Sequence, residues 1–166
     1  MKQITSFVLL AFLSHSILGQ EKLREVDLRV SSIGSGTPYH AVIRNLGEPL
    51  QRKATRTAAS LSCSEAAETD VTLLYAGLQI SLLGNGEGRN LRVYSMEVSS
   101  PSWMVAGVRI GASREDVKNK FGEPFSKAEE SGETIFHYVT KANLGMLNFH
   151  FRNNKLVKVA MTETLC

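Results

Sequence analysis

Residues 108 to 124 read "VRIGASREDVKNKFGEP" and residues 33 to 49 read "IGSGTPYHAVIRNLGEP". Each runs from an apolar residue through glycine to a helix start and ends on Gly-Glu-Pro, so one chain of 166 residues writes the same structural sentence twice. In the later stretch Ser113 is placed to cap a helix, Asp116 follows at capping-box spacing, and Val117 with Phe121 forms an i, i+4 apolar pair. Gly122 supplies the stop, and Pro124 forbids continuation. In the earlier stretch Thr37 is the expected cap, Pro38 the first helical residue, Val42 and Leu46 the apolar pair, and Gly47 with Pro49 the stop. Helices this short are marginal alone in water and need a sheet to cover their apolar stripe.

The sheet follows in the sequence. "ETIFHYVT" is β-branched and aromatic, "GMLNFHF" and "KLVKVAMTE" alternate, and Asn153-Asn154 is the turn between the last two. The alternation puts Leu147, Phe149, Phe151, Val157, Val159 and Met161 beneath the helix, with Asn148, His150, Arg152 and Lys158 on the other face. After the first helix the corresponding strands are "DVTLLYA", "LQISLLG" and "NLRVYSMEV". Leu78, Ile80 and Leu82 match Leu147, Phe149 and Phe151 in phase, and "LRV" at 91 to 93 is matched to "VKV" at 157 to 159. The segment "KATRTAASLSCSEAAET" reads as a small, polar loop, "GNGEGR" as a lengthened hairpin, and "SSPS" as a linker. "LREVDLRV" fits a strand or a helical turn equally. The expected fold class is therefore α+β, with two repeated helix-plus-antiparallel-meander units at 20–98 and 103–166, joined at 99–102.

"VRIGASREDVKNKFGEP" resembles the signature of the SmpA/OmlA group of outer-membrane assembly proteins, and its duplication resembles the β-lactamase inhibitory protein fold. The resemblance implies a tandem fold whose sheet presents a surface to a protein partner. It does not extend to a lipid anchor, because the residue directly after the expected cleavage site is Gln20 and not a cysteine.

That segment, "MKQITSFVLLAFLSHSILGQ", has a cationic start at Lys2, an apolar run from Ile4 to Leu13, and small or polar residues up to Gly19. It reads as a secretory signal peptide over 1–19, cleaved after Gly19, since its apolar run falls short of the roughly 20 residues that span a bilayer. No other stretch has the length and apolarity of a membrane span. The mature chain is expected outside the cytoplasm, periplasmic or secreted, where Cys63 and Cys166 favour an intramolecular disulfide over free thiols or an intermolecular bridge.

Composition narrows the chemistry. With 43% hydrophobic and 21% charged residues and a formal net charge of +3, the chain reads as an ordinary globular protein whose cations are too scattered for nucleic acid. His40, His137 and His150 lack metal-ligand spacing, and neither HExxH, CxxC nor GxSxG occurs. "GSGTP" and "GNGEG" lack the Walker lysine and read as turns; Glu48 and Glu123 read as solvated residues after the helix stops. No catalytic residue, metal or cofactor is expected.

The face away from the helices is the expected binding surface. Arg92, Tyr94 and Met96 are assigned to it from the first half, and His150, Arg152 and Lys158 from the second, with Trp103 near the junction. Trp, Tyr and Arg are the residues that dominate interface hot spots, and the cations favour a partner with an acidic surface. Arg92, Tyr94, Trp103, His150, Arg152 and Lys158 are therefore the partner-binding residues expected. The function read from the sequence is a non-enzymatic protein-binding module, an inhibitor or an envelope-assembly component. Its competitor is a small extracytoplasmic hydrolase or ligand carrier using the space between helix and sheet.

Overall fold

The computed structural model describes residues 29–57, 68–84, 90–139 and 145–163. Ser113 caps the helix Arg114–Phe121 (α2) through a complete capping box: its Oγ accepts from the Asp116 amide while the Asp116 carboxylate accepts from the Ser113 amide. Glu115 and Asp116 in the first turn and Lys118 and Lys120 in the last complement the helix dipole. The helix Tyr39–Leu46 (α1) starts differently. Pro38 holds an extended backbone at the N-cap with no side-chain cap, and Thr37 Oγ1 accepts instead from the Gly34 amide, closing the turn before the helix. Both helices end on a glycine with positive φ, 77° at Gly47 and 78° at Gly122, where a Cβ would be strained.

Before α1 come the short strands Arg29–Val30 (β1) and Ile33–Gly34 (β2), and after it Gln51–Thr57 (β3), Glu68–Tyr75 (β4), Leu78–Gly84 (β5) and Arg92–Val98 (β6). The same order follows: Met104–Val105 (β7) and Val108–Arg109 (β8), then α2, then Ser126–Glu130 (β9), Glu133–Val139 (β10), Gly145–Arg152 (β11) and Lys155–Glu163 (β12). The short strands make a four-stranded sheet in the order β2-β1-β7-β8, and the long ones an antiparallel eight-stranded sheet in the order β3-β4-β5-β6-β12-β11-β10-β9. At the centre of the large sheet Val98 faces Val159 and Met96 faces Met161.

This overturns the expected class. The described chain is β-dominated, with two sheets and only two helices of 8 residues each, and is not an α+β protein of repeated helix units. The strands β3 and β9 carry no strand signal in the sequence, because strands exposed on both faces show no apolar alternation: every residue from Gln51 to Arg56 is exposed, and β9 has only Ala128 partly buried.

One hydrophobic core lies between the large sheet and the layer made by the helices and the small sheet. It joins Val30, Ile33, Val105 and Val108 of the hairpins, Val42 and Val117 of the helices, and Leu78, Ile80, Leu82, Leu147, Phe149 and Phe151 of the strands. Phe121 stacks at 5.3 Å from Phe149, and Tyr138 meets Phe149 edge-on at 5.6 Å. A tyrosine hydroxyl also ties each helix end to the sheet: Tyr75 donates to the Gly47 carbonyl at 3.1 Å and Tyr138 to the Gly122 carbonyl at 2.9 Å. Burial pushes both phenols above their ordinary value.

Two β-bulges correct the expected phase. The β5–β6 register shifts between Ser81 and Leu82, so Tyr94 is the extra residue, and the β11–β12 register shifts between His150 and Phe151, so Val157 is. An extra residue reverses the inside-outside alternation beyond it. Met96 is therefore turned into the core, 1% exposed, and not outward as alternation predicts. Leu156 takes the core position expected of Val157, which is half-buried. The hydrogen bonds that join the loops before the helices to these strands show that Val93 corresponds to Leu156, not to Val159.

Candidate interaction face of the sheet

Because the helices and small sheet lie on one side, the other side of the eight-stranded sheet has no described element across it. One register row crosses all eight strands on this face, from Gln51 on β3 through Glu97 on β6 and Ala160 on β12 to His137 and Ser126.

Three of the expected binding residues come together here. His150 and Lys158 are cross-strand partners, and Arg152 lies two residues beyond His150 on the same face of β11. They are organised by two carboxylates that the sequence reading left out. Glu133 Oε1 accepts from Arg152 Nη2 at 2.8 Å and its Oε2 from His150 Nδ1 at 3.2 Å, while Glu97 Oε2 lies 3.7 Å from Lys158 Nζ. Glu133 was legible: in a β10–β11 hairpin that pairs Thr134 with Phe151, it falls beside Arg152. Glu97 was hidden by the wrong phase of β6.

The electrostatics follow from this arrangement. Burial holds the His150 imidazole below its ordinary pKa of 6.5, Lys158 pushes in the same direction, and Glu133 only partly offsets them. His150 is thus neutral at pH 7, with Nδ1–H donating to the carboxylate. Beside it Ile135, on the same face, is 5% exposed although it stands outside the main core. Farther along, His137 Nδ1 lies 2.8 Å from Asn148 Oδ1, so the imidazole is the donor.

The remaining expected residues stand elsewhere. Tyr94, displaced by its bulge, donates its hydroxyl to Asp70 Oδ2 at 2.8 Å across β5, and burial together with that carboxylate raises its pKa to about 12. Arg92 donates to the Gly36 carbonyl at 3.0 Å and pairs with Pro38, which makes it a brace for the loop leading into α1. Trp103 packs against the core and donates Nε1–H to the Ala76 carbonyl at 2.9 Å, fastening the segment before β7 to the β4–β5 turn. Only the His150, Arg152 and Lys158 part of the set forms one patch. Cys63 and Cys166, with the disulfide expected of them, lie outside the described residues, as does the leader segment 1–19.

Among the described residues no three His, Cys, Asp or Glu side chains converge as metal ligands, and no helix is long and apolar enough to cross a membrane. No family model matches the chain, and no curated protein does, so neither the SmpA/OmlA nor the inhibitory-protein resemblance is shown. Two solved structures overlap with it. One is an extracellular protein containing a SCP domain from Bacillus anthracis, 12% identical with a TM-score of 0.49, matched over 98% of this chain and 48% of that one. The chain thus spans about half the length of that protein. The other is a DUF4309 family protein from Bacillus subtilis, 14% identical with a TM-score of 0.43, covering 76% of this chain and 78% of that one.

Proposed function

We propose that the chain is a non-enzymatic, extracytoplasmic protein-binding module that meets its partner with the outer face of the large sheet. The observation that carries this reading is the β10–β11–β12 patch: a charged cluster already ordered by Glu133, with Arg152 61% exposed, beside the shielded Ile135 on a face that no described element covers. Ordered side chains lose less entropy when a partner arrives, and Arg152 spends one guanidinium nitrogen on Glu133, which leaves further donors for an acidic group. Glu133 and Glu97 offset part of the local positive charge, so an acidic partner is recognised at Arg152 and Lys158 specifically and not by a broad basic field. Inhibition of an enzyme or support of an envelope assembly are the roles such a module serves, and the leader-like segment at 1–19 supports a location outside the cytoplasm.

The test is photo-crosslinking in the producing cell. A photoreactive residue at Asn148 or Thr162, on the outer face, is expected to trap a discrete partner, while one at Glu115 or Asn119 of α2 is not. Crosslinking only from α2 would overturn the assignment.

A further inference from the structure

The large sheet ends in two strands of opposite charge. β3 at one end carries Arg52, Lys53 and Arg56 and no carboxylate, and no described carboxylate is in ion-pair contact with any of the three. β9 at the other end carries the exposed Glu129 and Glu130; its single cation, Lys127, is engaged by Glu123 at 3.2 Å. Among the described residues each of these strands is bonded on one side only. Immediately before each stands a large apolar side chain in solvent, Leu50 at 79% and Phe125 at 66% exposure, held there by backbone bonds to the Leu74 and His137 carbonyls.

Direction and charge agree. In a sheet of eight antiparallel strands the first and last run in opposite directions, so a second copy in the same orientation sets its β9 antiparallel to β3 with both helix layers on one side. The end of β9, with Glu129 and Glu130, then lies beside the start of β3, with Arg52 and Lys53. Phe125 comes to the Arg56 end. Pairing of β3 with β3 would instead set three cations against three, the arrangement by which lysine-bearing edges resist association.

We propose that copies of this chain join head to tail, β3 of one against β9 of the next, extending the sheet from molecule to molecule. The contact is heterologous, so it grows into a ring or a filament and does not stop at a dimer. It uses strand edges and is independent of the outer-face reading.

Sedimentation velocity on the purified protein tests it. The mean mass is expected to rise with concentration at low salt and to fall when ionic strength shortens the screening length to a few ångströms. An Arg52→Glu/Lys53→Glu variant and a Glu130→Lys variant are each expected to need at least about tenfold more protein to associate, since like charges face each other at the contact. Mixed in equal amounts they should associate at lower concentration than either does alone, because the unaltered β9 of the first meets the unaltered β3 of the second. Hydrogen exchange on the unmodified protein gives a second readout, in which β3 and β9 amides gain protection together as concentration rises. A parent that stays monomeric at low salt, variants that associate as it does, or protection confined to one edge would each overturn the proposal.

Discussion

Removing Glu133 separates an organised patch from a coincidental one. The carboxylate is 18% exposed and holds two partners, so Glu133→Ala strips the hydrogen-bond acceptor from His150 and the counterion from Arg152 at once. A bond to a charged group contributes about 1.5 to 3 kcal/mol when well shielded, and an exposed ion pair about 0.2 to 1 kcal/mol. Arg152 is 61% exposed, which puts its share in the lower range, while His150 is largely buried. Glu133→Ala is therefore expected to cost about 1 to 2 kcal/mol, and Arg152→Ala less than about 1 kcal/mol. In the double-mutant cycle the coupling should come to about 0.5 to 1 kcal/mol. Urea unfolding followed by the fluorescence of Trp103, the only tryptophan and packed against the core, measures all four species. A coupling indistinguishable from zero, or a Glu133→Ala variant as stable as the parent, would refute the claim that this carboxylate orders the patch.

Three further outcomes follow. Tyr138→Phe should lose about 1 kcal/mol, the net value of one hydrogen bond, with Tyr75→Phe losing less because its hydroxyl is less shielded; equal melting temperatures for Tyr138→Phe and the parent would dismiss the latch to Gly122. Met96→Ala should cost about 2 to 5 kcal/mol as a core truncation, whereas a cost below about 0.5 kcal/mol would place Met96 outside and remove the bulge. His150 has a folded pKa below its unfolded value of 6.5, so the unfolded state takes up the proton first as pH falls. Its contribution to stability is present above that value and is lost as pH falls from there through the folded pKa. The urea midpoint should decline below about pH 6.5, and His150→Gln should flatten that decline; an unaltered slope would show that another group causes it.

Much of this architecture could be read from the residues because local signals carried it. Capping at Ser113, the positive-φ stops at Gly47 and Gly122, and the boundaries of β12 all depend on neighbours within a few positions. What escaped depended on register or on distance. A bulge is set by pairing, not by composition, so simple alternation puts Met96 on the wrong face and hides Glu97 with it. The tyrosine latches link residues 28 and 16 positions apart, and no local pattern announces them. Polar edge strands look like loops because exposure on both faces erases the period-2 signal on which strand reading relies. The candidate patch is half legible: alternation puts His150, Arg152 and Lys158 on one face, but does not show the carboxylates between them. Tyr94, Arg92 and Trp103 belong to the type of residue found in hot spots, yet each is bonded within its own molecule here.

The most direct measurement is the affinity of the crosslinked partner for an Arg152→Ala/Lys158→Ala variant, compared with an Arg44→Ala/Lys120→Ala control on the helix side. Paired truncations at a hot spot cost about 2 kcal/mol, so the outer-face variant should bind roughly 30-fold more weakly while melting within a few degrees of the parent. The control should bind as the parent does. An outer-face variant with unchanged affinity, or a control that loses it, would contradict the assignment of the sheet's outer face as the binding surface.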